Sequence, residues 1–191
     1  MAPYHVVMVH FPIALWMTAT LVIIFRALSD GPTAKLFDRA LVPLLSLGLI
    51  SGVVAFAIGL MVWPWETISA SAIGRNHVLT ASWTVAYWAV ILYVRWARGE
   101  SVWEGLSRWV KAGLAALGCG LLGITGTLGG HLVGIYTEVS TGLRKIGWDV
   151  YTTFYVPDNT LIALVGLSAL LVTVGVWASF AKPEPTRRVI L

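Results

Sequence analysis

Apolar segments of membrane-spanning length constrain this chain more than any other feature. A helix needs about 20 mostly apolar residues to cross the hydrocarbon core of a bilayer. The 191 residues supply five such stretches, with most of the charges between them. The stretches are residues 6–25, 41–62, 77–94, 112–134 and 160–180. We therefore expect an all-α protein, a polytopic bundle of five transmembrane helices.

Composition supports a membrane protein and leaves little room for anything else. The mean hydropathy is +0.81, with 58% hydrophobic and only 12% charged residues, which excludes an ordinary soluble globular protein. Five spans use most of the chain, so we expect residues 1–191 to form a single membrane domain. Segment 135–157 is too polar to span, but Val139, Leu143 and Ile146 recur at helical spacing and predict a surface helix there.

The distribution of lysine and arginine predicts the orientation. Short cytoplasmic loops retain these residues in membrane proteins. In the five-span topology, ten of them lie on the face opposite the N-terminus and three on the N-terminal face. The ten are Arg26, Lys35, Arg39, Arg95, Arg98, Arg108, Lys111, Lys182, Arg187 and Arg188, and the three are Arg75, Arg144 and Lys145. We expect a periplasmic N-terminus and a cytoplasmic C-terminus in the inner membrane of a bacterium, and the net charge of +4 then implies no nucleic-acid partner.

All four histidines of the chain fall on the predicted outer face. His5 and His10 open the first segment, His77 opens the third, and His131 closes the fourth. Chance alone would make three segments agree about one time in four. At 1.5 Å per residue, His10 and His77 lie about 24 and 27 Å from the cations at the far ends of their helices, and His5 and His131 about 31 and 30 Å. We expect His10 to pair with His77 and His5 to pair with His131.

Paired imidazoles from different helices suit axial ligation of haem, because two neutral nitrogens can cap the iron on opposite faces of the ring. The single cysteine, Cys119, excludes a Cys-x-x-Cys-His attachment, so the predicted cofactor is non-covalent haem b, one or two per chain. Small residues would let a porphyrin approach the backbone, although helix packing uses them too. The fourth segment carries Gly118, Gly120, Gly123, Gly126, Gly129 and Gly130, whereas Gly48-x-x-x-Gly52 in the second indicates helix packing.

Two residues beside the histidines have alternative interpretations. Arg75 precedes His77 by two positions and is the candidate partner for haem propionates, because a guanidinium binds a carboxylate with two hydrogen bonds. It could equally be an ordinary interface anchor. Pro12 either kinks the first helix beside His10 or occupies the first turn of a helix that begins near Phe11.

The opening His5-Val-Val-Met-Val-His10-Phe-Pro-Ile-Ala-Leu15 resembles that of a bacterial membrane-protein family, DUF2231. The usual form of that opening is His-Pro-x-x-Val-His-Phe-Pro-Ile-Ala-Leu. The segment beginning at His77 and the sequence Gly129-Gly130-His131-Leu132-Val133 are also similar to the family, so the resemblance spans residues 5–134. Val6 replaces the usual proline, and His131 occupies a position with no fixed histidine. The resemblance implies a redox module, because some members are joined to cytochrome c or Rieske-type domains.

Together these features predict a b-type cytochrome membrane subunit. It would transfer electrons between a periplasmic cytochrome or dehydrogenase and the quinone pool or a larger respiratory complex. We expect membrane lipid and other subunits of that complex as partners, with a quinone as a further ligand. The sequence has no nucleophile–base pair, so a non-catalytic electron-transfer subunit is favoured over an independent enzyme.

Two other classes of function fit the same histidines. The chain could bind a transition-metal ion directly through its imidazoles. Transport is disfavoured, because a transporter needs intramembrane carboxylates and the acidic residues lie outside the predicted spans. The chain could also be a structural anchor or accessory subunit of a membrane complex, with histidines that merely lie at the interface.

Overall fold

The computed structural model describes residues 2–153 and Leu170. The chain divides into two compact units, residues 1–154 and 155–191, and the helices named below all belong to the first. The fifth predicted span, 160–180, lies outside the described residues except for Leu170.

Helices account for all regular secondary structure in residues 2–153. The four long helices are α1 (Ala2–Leu28), α3 (Leu41–Val62), α5 (Ala72–Arg98) and α6 (Ser107–Leu132). The short ones are α2 (Pro32–Arg39), α4 (Trp65–Ala70), α7 (Glu138–Lys145) and a 3-10 helix at Gly99–Trp103. Four helical segments have the length and composition to cross a membrane. The all-helical class is thereby confirmed, and four of the five predicted spans are matched by such segments.

Three of the four long helices, α1, α5 and α6, begin before the apolar stretches that predicted them, whereas α3 matches its predicted span 41–62. α5 starts at Ala72 rather than at His77, and Ser71 caps it by accepting a hydrogen bond from the backbone N–H of Gly74 at 3.1 Å. Polar residues such as Asn76 therefore belong to the helix. Hydropathy marks only the part of a helix that suits hydrocarbon, so it misses turns that extend beyond it.

Pro12 lies in the interior of α1, which starts at Ala2. The alternative in which the helix begins near Phe11 and the proline occupies its first turn is therefore wrong. Since proline has no N–H, the carbonyl of Met8 lacks its usual helical donor at this point.

Tryptophans and glycines bring α1, α3 and α5 together. A β-carbon at Gly48 or Gly52 of α3 would lie 2.6 Å from the ring of Trp16, so only glycine allows this approach. Trp16 is fully buried and stacks on Trp88 of α5, with ring centroids 5.6 Å apart and an interplanar angle of 7°. On the other side, Gly118 of α6 lies against Trp88. The prediction that Gly48-x-x-x-Gly52 serves helix packing is confirmed.

The end of the bundle opposite the N-terminus, which we call the charged end, contains a buried ion pair and a half-exposed carboxylate that binds two arginines. Arg95 of α5 binds Asp38 of α2, with Nη2 and Oδ2 2.7 Å apart. Asp30, in the connection after α1, accepts from Arg26 of α1 and from Arg108 of α6, the latter at 2.8 Å. These contacts join four helices. Sequence reasoning treated the cations only as topology signals and did not foresee their burial.

Segment 135–157 contains the surface helix α7, which is eight residues long. Leu143 is buried and clusters with Ile73 of α5. Val139 and Ile146, which the periodicity grouped with Leu143, are 43% and 76% exposed. A single buried leucine therefore anchors α7 to the bundle.

Candidate functional site

A cavity of about 550 Å³ lies between α1, α3, α5 and α6 at the end of the bundle that carries the N-terminus. We call this the histidine end, because His5, His10 and His77 line the cavity. Among the lining residues in the described part of the chain, none has a charged side chain and most are apolar. Pockets for cofactors and small ligands typically enclose about 300–1,000 Å³ and have this character.

His5 is held on the α1–α3 wall of the cavity. Its Nδ1 lies 3.0 Å from the carbonyl oxygen of Ala55 in α3. A carbonyl can only accept, so Nδ1 of the neutral ring carries the proton and Nε2 keeps its lone pair. The ring covers Gly59, where a β-carbon would lie 2.7 Å from His5 Cε1. α3 thus fixes the tautomer and the position of an imidazole that belongs to α1.

His77 has a matching environment on the α5–α6 wall. Its Nδ1 lies 3.1 Å from the carbonyl oxygen of Thr125 in α6. A β-carbon at Gly129 would lie 2.8 Å from His77 Cε1, so this ring also covers a glycine of the neighbouring helix. The hydroxyls of Thr84 and Thr125, 2.9 Å apart, join α5 to α6 one turn deeper.

The two imidazoles therefore occupy equivalent positions on two helix pairs. His5 and His77 line the same cavity and are close enough to interact electrostatically. A hydrogen bond from the second ring nitrogen to a backbone carbonyl is the usual way in which proteins orient a metal-ligating histidine. Nε2 of both rings has no hydrogen-bond partner among the described residues, so both nitrogens are available to a ligand in the cavity.

His10 also lines the cavity, but its ring is oriented differently. The side chain is exposed, and Nδ1 lies 2.6 Å from the carbonyl oxygen of Val6 in the same helix. Its helix neighbours Val7 and Phe11 are exposed and do not line the cavity. His10 therefore lies at the edge of the lining, at the mouth of the cavity.

His131 is not among the residues that line the cavity. It is 8% exposed, its Nδ1 lies 2.7 Å from the hydroxyl oxygen of Tyr151, and its ring meets Tyr136 edge-on at 5.0 Å. Burial and then the hydrogen bond with Tyr136 raise the pKa of Tyr151, so its hydroxyl stays protonated and can donate to His131. Nε2 of His131 is buried without a hydrogen-bond partner among the described residues.

The pairings expected from depth, His10 with His77 and His5 with His131, stay predictions, although only the first pair shares the cavity. The depth argument compared only heights along the membrane normal. Helical phase decides which way each side chain points. His5 and His131 lie at similar heights, but only His5 lines the cavity beside His77.

Arg75 precedes His77 on α5, but its side chain is exposed and does not line the cavity. That Arg75 binds haem propionates stays a prediction. Of the other two cations on this face, Arg144 lies 3.6 Å from Asp149 in an exposed ion pair.

The ligand set is small. Within residues 2–153, no three His, Cys, Asp or Glu side chains gather in a way that would hold a metal ion. Two imidazoles suit a cofactor that supplies the remaining ligands of its own metal, as a porphyrin does.

Sequence reasoning found the three cavity histidines but missed the groups that hold two of them. Gly129 was one of six glycines singled out in α6, whereas Gly120 and Gly123 of the same set have open space beside them. Gly59 and the carbonyl of Ala55 were not singled out. Backbone carbonyls leave no mark in a sequence, and the glycine opposite a given histidine can be identified only when the register of the two helices is known.

Comparison with known proteins gives one match. No curated protein and no solved structure matches the chain. The family DUF2231, described as a predicted membrane protein, matches residues 1–140, a range that contains the four long helices and all four histidines. The resemblance seen in the opening sequence is confirmed. The chain is a multi-pass membrane protein and belongs to the DUF2231 family of predicted membrane proteins.

Proposed function

We propose that this chain is a b-type cytochrome subunit of a membrane redox complex, with a haem b held between His5 and His77. The observation that carries the proposal is the matched environment of these two rings. Each has Nδ1 bound to a backbone carbonyl of the neighbouring helix and Nε2 free to ligate. Haem iron, when bound, would supply a one-electron couple. His5 and His77 would hold it, in place of His10 and His77.

The walls of the cavity also suit a porphyrin. The lining is apolar and uncharged among the described residues, and Gly59 and Gly129 leave room for the two imidazoles against the helix backbones. Trp16 closes the cavity toward the bundle core. A dry, apolar shell controls the redox potential of a buried metal centre and keeps water from it.

The orientation of the bundle in the membrane follows from the charge distribution. The charged end carries Arg26, Arg95 and Arg108, so the positive-inside rule assigns it to the cytoplasmic face of a bacterial inner membrane. The histidine end then faces the periplasm. The subunit would exchange electrons there with a periplasmic cytochrome or dehydrogenase and connect it to the quinone pool or to a larger complex. Its own residues bind and orient a cofactor and carry out no covalent step.

Absorption spectra of three variants test the axial pair. His5→Ala and His77→Ala each remove one Nε2 ligand, so the low-spin b-type spectrum of the reduced protein should be lost or become high-spin. His131→Ala is the matched control and should keep the spectrum, because His131 does not line the cavity. An unchanged spectrum in His5→Ala or His77→Ala, or an equal loss in His131→Ala, would contradict the proposed pair.

A further inference from the structure

His10 is the third histidine that lines the cavity, and the proposed haem site, which uses His5 and His77, gives it no role. It belongs to a helical segment, Pro3–Leu28, that is long and apolar enough to span the membrane, and its neighbours Val7 and Phe11 are exposed. A polar ring on an apolar, outward-facing helix surface is costly in a bilayer and marks a functional site by default. Its position at the cavity mouth places this ring between the lipid and the cavity interior.

The hydrogen bond of His10 determines what its free nitrogen can recognise. Nδ1 donates to the carbonyl of Val6, so Nε2 of the neutral ring is an acceptor. An acceptor attracts a hydroxyl donor and gains nothing from a carbonyl oxygen.

The cavity lining and the bilayer further restrict which molecule can donate a hydrogen bond to His10. The cavity lining has no charged side chain among the described residues, so an uncharged ring suits the mouth of the cavity. Access from the bilayer requires a lipid-soluble molecule. A ring with hydroxyl groups and an apolar tail meets all three conditions, and its oxidised form, which has only carbonyls, fails the first.

We propose that His10 is the recognition residue for a lipid-soluble hydroquinone, whose ring hydroxyl donates a hydrogen bond to Nε2 at the mouth of the cavity. The inference rests on the proposed function and names the substrate class of the same site. It also selects the reduced form over the quinone.

Binding is measured with three probes that share one ring and one alkyl tail, on the 191-residue chain in lipid nanodiscs under anaerobic conditions. The probes are a decyl-substituted benzohydroquinone, the matching quinone, and the dimethyl ether of the hydroquinone. Empty nanodiscs correct for partition into lipid. One hydrogen bond to a neutral acceptor predicts that the hydroquinone binds about three- to tenfold more tightly than either of the others.

Variants assign this preference to one atom. His10→Phe should abolish the preference, His10→Gln should retain part of it through its amide oxygen, and Val7→Leu, a neighbouring exposed change outside the cavity lining, should leave it intact. Equal binding of the three probes, or a full preference in His10→Phe, would overturn the inference. Haem content of the same samples separates the two claims. If the samples contain normal haem but show no preference for the hydroquinone, only the proposed role of His10 is wrong. If they show the preference but contain no haem, only the cytochrome proposal is wrong.

Discussion

Asp38 and Arg95 form a buried ion pair at the charged end of the bundle. Arg95 Nη2 lies 2.7 Å from Asp38 Oδ2, and Nε lies 3.3 Å from Oδ1. The aspartate side chain is 2% exposed, and the indole N–H of Trp103 donates to it as well. Three donors on one carboxylate compensate for the loss of its hydration. The pair thereby ties the short helix α2 to α5.

Asp38→Asn should destabilise the protein strongly, because Arg95 would remain buried without its counter-charge. Breaking a buried pair from one side costs about 3–5 kcal/mol. Glu100→Gln is the control. Glu100 also contacts Arg95, at 3.2 Å, but its side chain is 70% exposed, so its loss should cost at most about 1 kcal/mol. Thermal unfolding in detergent compares the two, and equal melting temperatures would show that the Asp38 pair is unimportant.

Acid should weaken the charged end through Asp30. Hydrogen bonds from Arg26 and then Arg108 hold the pKa of Asp30 below its ordinary value. A carboxyl whose pKa is lower in the folded state contributes stability above its ordinary pKa and loses that stability as the pH falls toward the folded value.

Asp30→Asn should therefore lower the melting temperature near neutral pH and flatten its decline in acid. Because Asp30 is half-exposed, 1 M salt should screen the interaction and bring the wild type closer to the variant. If the melting temperatures of the wild type and of Asp30→Asn differed by the same amount at every pH, the ionisation of Asp30 would not contribute to acid stability.

Gly48→Ala should destabilise the bundle by about 1–3 kcal/mol, because its β-carbon would lie 2.6 Å from the buried ring of Trp16. Gly113→Ala in α6 is the matched control, since no atom lies within 4 Å of its β-carbon position. Both changes gain the same helix propensity, so the difference in melting temperature isolates the clash. A Gly48→Ala variant as stable as the Gly113→Ala control would contradict the packing of Trp16.

Sequence predicted most of the fold and only part of the site. Apolar length identified the four long helices, because hydrocarbon thickness imposes that length on any span. Counting residues along these helices placed His10 and His77 at one level and His5 and His131 at another, whereas His5, His10 and His77 line one cavity. Counting residues does not give the rotation of each helix about its axis. The position of His131 beside Tyr151 was therefore missed. The burial of Asp38 was missed too, because a carboxylate three residues before a predicted span resembles an ordinary interfacial charge.

Gly129→Ala tests whether the position of the His77 ring matters for the cofactor. The added β-carbon would lie 2.8 Å from His77 Cε1 and must displace the imidazole. Disturbing the orientation of a metal ligand typically lowers affinity about 10- to 100-fold, so haem retention should fall. Gly123→Ala, with open space beside it in the same helix, should retain haem as the wild type does. Haem titration measures the haem affinity of both variants. Equal affinities would show that Gly129 does not affect the haem site.

The central claim is that His5 and His77 hold haem b, and the visible spectrum of the detergent-purified protein tests it most directly. Spectra before and after dithionite, with a pyridine haemochrome assay, give the haem type and its amount per chain. We predict a low-spin b-type spectrum and one haem per chain, since the cavity presents a single pair of Nε2 ligands from opposite walls. A colourless protein, purified from cells with ample haem, would contradict the account.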